Sequence, residues 1–307
     1  MTDATSAGLF DLNSRTVLYA KNIHERLAPA SLTKLMTAVV ALKYGNPDDV
    51  ITVSSNMGNL ENGAVVCGLA EGDQLTLNQA LHALLIKSAN DAAVAIAEHI
   101  GGSVEGFADM MNEEAQAIGA TNSHFVNPHG LNAENHYVTA YDMYLIFNEA
   151  LKYDTVNEII SMTSYDTVYT DKNGNEKTLS VKNTNQYLAG DVAAPDRVTV
   201  IGGKTGTSNK NRDAWFMCVA PKLVAGAWVG GEDQSVHFVS GGEGSVMALP
   251  IVGDFMKRVY DDGRLGVSRA DQFIRPAMMP RYDCDEEVDP DERPTEPGIA
   301  EDDNFFD

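Results

Sequence analysis

The sequence predicts an α+β protein in which strands from both ends of the chain share one antiparallel sheet, with a helical part between them. Three observations support this fold class. Short β-rich runs occur near the amino terminus, apolar residues recur at helical spacing through the middle third, and short β-rich runs return from Val198 onward. The 307 residues are 44% hydrophobic and 21% charged, which is enough apolar material for one large core or two fused subdomains.

The predicted elements follow in order along the chain. An antiparallel hairpin is expected first, and then a helix that begins at Pro29 and Ser31 and ends before Gly45. Apolar periodicity predicts further helices, several of them ended by glycine, and the last third combines short strands with a closing helix. The predicted strands span residues 7–12, 16–20, 198–201, 214–220 and 223–229, and the later helices span residues 77–87, 92–100, 104–118, 140–151 and 246–260.

The net charge of −22 argues against two classes of partner. Nucleic acids and anionic membrane surfaces both require a basic footprint, so neither is expected to bind. Half of this charge lies between residues 283 and 307, where twelve acidic residues accompany one basic residue, Arg293. This segment has few apolar residues and several prolines, and we expect it to be disordered.

The sequence shows no membrane anchor. No run of about 18 consecutive apolar residues occurs, so membrane association is expected only through segments outside this chain. The start Met1-Thr2-Asp3-Ala4 lacks the basic and apolar regions of a signal peptide, so an exported protein would be a trimmed form. Cys67, Cys218 and Cys284 are too few and too scattered to predict a disulfide framework or a compartment.

The first motif of chemical interest is Ser31-Leu32-Thr33-Lys34. A serine hydroxyl is a poor nucleophile at neutral pH and needs an adjacent base, and the spacing of three places Ser31 and Lys34 on one helical face. Burial and a second cation such as Lys204 would lower the pKa of Lys34 enough for it to accept the proton. Taken alone, the pair also fits a helix cap at Ser31 and a solvated Lys34.

The second motif, Ser88-Ala89-Asn90, lies between two apolar helical runs. A rigidly packed junction can present a hydroxyl and an amide into a cleft, where Ser88 relays a proton to a leaving amine and Asn90 holds a substrate carbonyl. A plain helix cap followed by Asp91 is the alternative. A second match to the pattern, Ser54-Ser55-Asn56, lies in a polar turn and is interpreted as coincidental.

The third motif, Lys204-Thr205-Gly206-Thr207, follows Gly202-Gly203 at the end of a predicted strand. Glycines at this point let a substrate backbone approach the strand edge. Lys204 and the hydroxyls of Thr205 and Thr207 are predicted to bind a carboxylate. The backbone N–H groups of Thr207 and Ser31 are predicted to form an oxyanion hole.

Cofactor and metal chemistry have little support. The seven histidines show no metal-binding pattern, and the sequence has neither a Gly-x-Ser-x-Gly elbow nor a phosphate-binding glycine loop, so no metal and no cofactor are predicted. His82 and His99 lie on apolar helical runs and are interpreted as packing residues. His129 and His136 are interpreted as residues that shape the cleft or hold a loop.

Together these residues resemble the penicillin-recognising serine acyl transferases, and neighbouring segments narrow the likeness. Residues 28–38, 88–93, 125–131 and 136–143 are similar to signatures of the D-alanyl-D-alanine carboxypeptidases, the low-molecular-weight penicillin-binding proteins. The resemblance covers roughly residues 5 to 260. It implies a β-lactamase/transpeptidase-like fold, in which an antiparallel sheet is flanked by helices and joined by an all-helical subdomain.

The resemblance also implies an activity and a set of roles. The enzyme would act outside the cytoplasm, in the periplasm or on the cell-wall side of the membrane, on peptidoglycan stem peptides ending in D-Ala-D-Ala, and β-lactam antibiotics would inhibit it. Ser31 would be the acylated nucleophile, Lys34 its base, Ser88 and Asn90 the relay and carbonyl holder, and Lys204 the carboxylate binder. The peptidase domain would span residues 1–265, with its sheet from residues 5–25 and 195–260 and its helical part at about 50–155, and residues 266–307 would form an acidic extension.

One part of the chain departs from this pattern. Residues 203–209, 213–216, 228–231 and 248–251 look more like the transpeptidase domains of bifunctional penicillin-binding proteins. Hydrolysis of the terminal D-alanine is the expected reaction, because the helical half is carboxypeptidase-like. A D,D-transpeptidase and a penicillin sensor that is acylated without turnover stay open. A β-lactamase is disfavoured, because residues 127–135 offer only Glu134 as a carboxylate to activate a deacylating water.

Overall fold

The central element of the fold is a five-stranded antiparallel sheet with the strand order β2-β1-β9-β8-β7. The computed structural model describes residues 4–12, 14–56, 60–61, 63–193, 202–208, 212–231, 241–268 and 270–271. The five strands are β1 (Ser6–Asp11), β2 (Val17–Lys21), β7 (Gly202–Thr207), β8 (Asp213–Ala220) and β9 (Leu223–Gly230). Since β1 pairs with β9 in antiparallel register, the prediction that both ends of the chain share one sheet is confirmed.

Strand β8 is buried on both faces, which explains its nearly continuous apolar sequence. Alternate residues point to opposite sides of the sheet. Trp215, Met217 and Val219 belong to the core shared with the helical part. Phe216 and Cys218 belong to a second core, to which helix α8 (Gly244–Asp261) contributes from the other side. The sheet is therefore sandwiched between two helical layers.

The helical part is organised around α1 (Thr33–Tyr44), whose residues from Thr33 to Ala41 are all buried. A helix that is enclosed on all sides lies in the centre of a core. The other helices are α2 (Leu77–His82), α3 (Asn90–Gly101), α4 (Val104–Ala117), α5 (Ala140–Ala150), α6 (Asp154–Ser161) and the short α7 (Gln186–Ala189). The predicted helices at 92–100, 104–118, 140–151 and 246–260 are confirmed to within two residues at each end.

The predicted helix at 77–87 is only partly correct. Helix α2 begins with a capping box between Thr76 and Gln79, but from Ala83 to Lys87 the chain turns as a π-helix that ends at Ser88. The wider turn of a π-helix is frequent at functional sites. Apolar periodicity alone does not separate an α-turn from a π-turn, so this change has no signal in the sequence.

A second antiparallel sheet was not predicted. It has the strand order β3-β4-β5-β6, formed by β3 (Val50–Thr52), β4 (Gln74–Thr76), β5 (Ser164–Thr170) and β6 (Glu176–Lys182). Strands β3 and β4 have three residues each, and β5 alternates exposed and half-buried positions with few large apolar side chains. Such short or polar strands carry a weak sequence signal.

Two expectations fall outside the described residues. They are the predicted strand at residues 198–201 and the acidic segment at residues 283–307. Within the described ranges, no helix is both long enough and apolar enough to cross a bilayer.

Candidate active site

The nucleophile candidate lies in a single 3₁₀ turn, Ala30–Leu32, immediately before α1. Lys34 follows one turn later, and its Nζ lies 3.2 Å from the Ser31 Oγ. The same Nζ donates to the main-chain oxygen of His129 at 2.6 Å. The structure thus brings the two predicted residues into hydrogen-bond distance and fixes the lysine with a carbonyl from a distant loop.

The environment of Lys34 favours its neutral form. Its side chain is fully buried, and desolvation lowers its pKa well below the usual lysine value. The nearby positive charge of Lys204 lowers this pKa further, whereas the negative charge of Asp91 raises it. A neutral amine has a lone pair, so Lys34 can accept the Ser31 proton while it still donates to His129.

The second predicted pair, Ser88 and Asn90, lies directly after the π-turn. Ser88 follows it with φ +64°, a left-handed conformation that is uncommon for a residue with a side chain. The Lys204 Nζ donates to the Ser88 Oγ at 2.9 Å, and burial lowers the pKa of Lys204 to about 7. Asn90 begins α3, and its backbone N–H donates to the Val65 carbonyl at 2.8 Å. The second and third motifs are therefore in direct contact.

Strand β7 presents the third motif at the edge of the sheet, since among the described strands it pairs with β8 alone. The Ser208 N–H donates to the Asp213 carbonyl. Because successive N–H groups along a strand point to opposite sides, the Thr207 N–H points away from β8. Thr205 shares a hydrogen bond of 3.0 Å with Thr184, and the Thr207 Oγ1 accepts from the Gly244 N–H at 3.0 Å. The whole strand Gly202–Thr207 carries the motif, rather than the strand end that the sequence predicted.

Gly206 permits the close approach of β7 to the nucleophile turn. A Cβ at this position would lie 3.1 Å from the Cβ of Trp215 and 3.4 Å from the Cγ of Leu32. Trp215 in turn donates from its Nε1 to the Ala28 carbonyl at 2.8 Å. The strand and the serine turn are therefore held together by backbone-to-side-chain contacts that leave little free space.

A cavity of about 420 Å³ connects these groups. Five of the predicted site residues line it, and Lys34 and Lys204 are buried beside it. The lining is completed by residues from the loop between β3 and β4, the end of the π-turn, the segment after α4, the segment between β6 and α7, the residue after β7 and the start of α8. The lining residues are Ser31, Gly63, Ala64, Val65, Lys87, Ser88, Asn90, His129, Gly130, Leu131, Thr184, Thr205, Thr207, Ser208, Glu243 and Ser245.

Sequence reasoning missed the chemical part played by the segment 125–131. Asn127 closes this segment into a turn, because its Oδ1 accepts from the Gly130 N–H at 2.7 Å and its Nδ2 donates to the Leu131 carbonyl at 2.8 Å. The turn aims the His129 carbonyl at Lys34. The Asn-Pro-His-Gly run marks a turn, but a backbone carbonyl has no side-chain signal that could reveal its partner.

His136 supports the nucleophile segment from the outside. Its Nδ1 accepts from the Val126 N–H at 2.9 Å, so the neutral ring carries its proton on Nε2 and donates to the Thr33 Oγ1 at 3.1 Å. Burial lowers the pKa of His136 to about 4 and that of His129 to about 3. These contacts agree with the interpretation of both histidines as structural residues. The coincidental match at Ser54 bonds to Glu98, and it is not among the residues that line the cavity.

The chain is similar in sequence to D-alanyl-D-alanine carboxypeptidases. A family model described as D-alanyl-D-alanine carboxypeptidase matches residues 1–220. The D-alanyl-D-alanine carboxypeptidase DacF of Bacillus subtilis is 38% identical over 192 residues, which are 61% of this chain and 48% of the relative. The D-alanyl-D-alanine carboxypeptidase DacA of Escherichia coli is 38% identical over 165 residues, which are 51% of this chain and 41% of the relative. The chain thus spans about half the length of the curated relatives it matches.

Solved structures show the same fold. A variant of the Streptomyces K15 DD-transpeptidase matches with a TM-score of 0.70 and 25% identity, covering 86% of this chain and 98% of that chain. An antiparallel sheet flanked by helices, with serine–lysine pairs at its edge, defines the class of penicillin-binding and β-lactamase-like proteins. Because the family model matches more than half of its residues, the chain belongs to the D-alanyl-D-alanine carboxypeptidase family.

Proposed function

We propose that this chain is a serine-type D-alanyl-D-alanine carboxypeptidase that removes the terminal D-alanine of peptidoglycan stem peptides through an acyl-enzyme on Ser31. The observation that carries the proposal is the pair of lysine–serine contacts at one cavity. Lys34 meets Ser31 at 3.2 Å, and Lys204 meets Ser88 at 2.9 Å. One pair serves the attack and the other serves the departure of the leaving group.

Acylation is proposed to run as follows. Neutral Lys34 takes the proton of Ser31 as the Ser31 Oγ forms a bond to the scissile carbonyl carbon. When the carbon–nitrogen bond breaks, the leaving nitrogen takes a proton from the Ser88 hydroxyl, and Lys204 returns one to Ser88. The low pKa of Lys204, about 7, makes it a competent donor at neutral pH.

The groups around the nucleophile fit the remaining roles. The Ser31 N–H belongs to the first turn of a helix, where N–H groups lack intrahelical acceptors, and the Thr207 N–H faces the free edge of β7. These two donors are proposed as the oxyanion hole, and Asn90 as the group that holds a substrate carbonyl. The hydroxyls of Thr205 and Thr207, with Lys204 behind them, are proposed to bind the terminal carboxylate.

The setting of the enzyme follows from its proposed substrate. Stem peptides are found outside the cytoplasm, so we place the enzyme in the periplasm or on the cell-wall side of the membrane. β-Lactams are proposed to acylate Ser31 as they open their ring amide. The peptidase domain is proposed to span residues 1–265, followed by the acidic extension at residues 266–307.

A second candidate function is D,D-transpeptidation. It is favoured by the likeness to a solved protein named a DD-transpeptidase and by the transpeptidase-like run from Gly203 to Asn209. Both reactions use the same ester on Ser31 and differ only in whether water or an amine resolves it. A penicillin sensor would form this ester and stop.

The test is the fate of an acyl-D-alanyl-D-alanine peptide incubated with the purified protein, with and without an amine acceptor. Steady release of D-alanine over many turnovers without the acceptor supports the carboxypeptidase. Cross-linked product with no hydrolysis overturns it in favour of the transpeptidase, and a stoichiometric burst that then stops favours the sensor.

Two variants show whether the proposed residues act. Ser31→Ala and Lys34→Ala are both expected to lose labelling by a fluorescent penicillin, the first because the attacking oxygen is missing and the second because its base is missing. Lys182→Ala is the matched surface control, since Lys182 is exposed and, among the described residues, pairs with the exposed Asp191 alone. Labelling of Ser31→Ala at the normal rate would refute the assignment of the nucleophile.

A further inference from the structure

Asp91 is a buried carboxylate near the cavity that accepts several hydrogen bonds. It is 2% exposed and lies in the first turn of α3, directly after Asn90. Its oxygens accept from the backbone N–H groups of Cys67, Gly68 and Leu69 at 2.9–3.1 Å, and from the Ala92 N–H at 3.0 Å. The Cys67 thiol lies 3.5 Å from the same carboxylate. Hydrogen bonds to an ionised acceptor are roughly twice as strong as neutral ones.

These bonds fix the segment from Gly63 to Leu69, here called the cavity loop. Gly63, Ala64 and Val65 of this loop line the cavity, and the Val65 carbonyl accepts from the Asn90 N–H at 2.8 Å. The loop is thus attached to the start of α3 at two places, through Asn90 at Val65 and through Asp91 at its last three residues. Without Asp91, the three N–H groups on this side would lack their acceptor.

We infer that Asp91 is a positioning residue: it holds the cavity loop against the start of α3 and thereby sets the position of Asn90 and of the wall formed by Ala64 and Val65. The inference rests on the proposed function, because it assigns to this residue the placement of groups used at the same site. Displacement of a positioning group by about 1 Å can cost on the order of a hundredfold in rate.

Asp91 also has an electrostatic effect on the pKa of Lys34, which a residue that only holds the cavity loop would not have. Two charged groups from different elements act on the pKa of Lys34, namely Lys204 on β7 and Asp91 on α3. His129 in the segment 125–131 also faces Lys34, and its own pKa is lowered to about 3 by burial and by Lys34. Burial and Lys204 lower the pKa of Lys34, and Asp91 opposes them. Removing the negative charge of Asp91 therefore lowers that pKa further.

The experiment compares Asp91→Asn with Asp142→Asn. Asp142 is a matched control, since it is also buried in the first turn of a helix and accepts from the Asn122 N–H and the Ser123 hydroxyl, both at 2.8 Å. Neither Asn122 nor Ser123 lines the cavity. An asparagine offers one acceptor oxygen in place of two, and its NH₂ group cannot accept, so both variants weaken the hydrogen bonds of a buried carboxylate, which are more numerous at Asp91.

Two quantities are measured at a temperature where both variants are folded. The first is the second-order rate constant of acylation by a fluorescent penicillin between pH 4 and pH 10. In Asp91→Asn this rate constant is expected to fall by about tenfold to a hundredfold, and the acid limb of its pH profile is expected to move to lower pH. In Asp142→Asn both the rate constant and the pH of the acid limb are expected to stay unchanged. Equal rates and limbs in the two variants would overturn the positioning role.

The second quantity is amide hydrogen exchange in the unsubstituted protein, which requires neither activity nor a folded variant. The amides of Cys67, Gly68 and Leu69 are expected to exchange as slowly as those of α3. Exchange as fast as an exposed loop would overturn the inference. Absence of penicillin labelling in the unsubstituted protein would instead overturn the proposed function, so the two failures are distinguishable.

Discussion

The backbone of Gly130 lies against the backbone of Ala30, the residue before the proposed nucleophile Ser31. A Cβ built on Gly130 would lie 1.8 Å from the Ala30 carbonyl oxygen, and Gly130 has φ +89°. Ala30 itself has φ +48° and is 1% exposed. The turn that directs the His129 carbonyl at Lys34 is therefore in van der Waals contact with the turn that carries Ser31.

Gly130→Ala is expected to abolish acylation. The added methyl must push either the nucleophile turn or the segment 125–131 away, and this separates His129 from Lys34. We expect the rate of penicillin labelling to fall by more than about a hundredfold. Thermal unfolding of the same variant shows whether it is folded under the labelling conditions.

Gly119→Ala is the matched control for this substitution. Gly119 has φ +84°, but the nearest atom to a Cβ there is 4.0 Å away. The control carries the same backbone cost of about 1–2 kcal/mol without the clash. Normal labelling of Gly130→Ala would show that the contact with Ala30 is irrelevant to the reaction.

Lys204 is expected to set the pH dependence of acylation through its charge. The rate falls as the pH drops, because protonated Lys34 cannot accept the Ser31 proton. Lys204 lowers the pKa of Lys34, so Lys204→Gln raises that pKa and moves the acid limb of the pH–rate profile to higher pH. The profile is measured with a fluorescent penicillin in short incubations. Lys204→Arg keeps the charge, so its acid limb is expected to stay at the same pH. An acid limb that moves to lower pH in Lys204→Gln would contradict this electrostatic coupling.

The side chains proposed to act in catalysis were largely predictable from the sequence, and the groups that hold them were not. Ser31, Ser88 and Lys204 belong to three motifs whose occurrence together and in this order is specific. The structure brings these side chains to one cavity. The contact of Lys34 with His129 uses a main-chain oxygen, which any residue supplies. Sequence patterns record side-chain chemistry, so such a contact leaves no trace in them.

The same distinction holds for the fold. Strands β8 and β9 were recognised because their apolar residues must be buried, and the central helices because their periodicity is strong. Strand β4 has three residues and depends on its pairing with β3 and β5 rather than on its own composition. The sequence indicated Asp91 only as a residue that follows a possible helix cap, because its main partners lie more than twenty residues earlier in the chain.

Acid is expected to destabilise the protein through His136. Its folded-state pKa is about 4, below the unfolded value of about 6.5, so the unfolded chain binds more protons between these values. Stability is therefore lost as the pH falls from about 6.5 to about 4, by up to about 3 kcal/mol for this residue. His136→Asn keeps an acceptor for the Val126 N–H but cannot titrate, and its urea unfolding is expected to depend less on pH in this window. An unchanged slope would mean that His136 is not held neutral.

The burial of Lys204, which the proposed reaction requires, is expected to lower the free energy of unfolding. Its pKa falls from 10.5 to about 7 on folding, so the unfolded chain binds more protons between these values and the free energy of unfolding falls as the pH drops through them. Below about pH 7 the loss is complete, and at pH 7 it amounts to at most about 4 kcal/mol. Lys204→Met removes the charge and fills similar volume. We expect it to unfold at higher urea concentration than the unsubstituted protein at pH 7, with the difference shrinking toward pH 10, and to be labelled by penicillin more slowly. A variant that is less stable at pH 7 and equally pH-dependent would show that the bond to Ser88 outweighs the cost of burying the ammonium group.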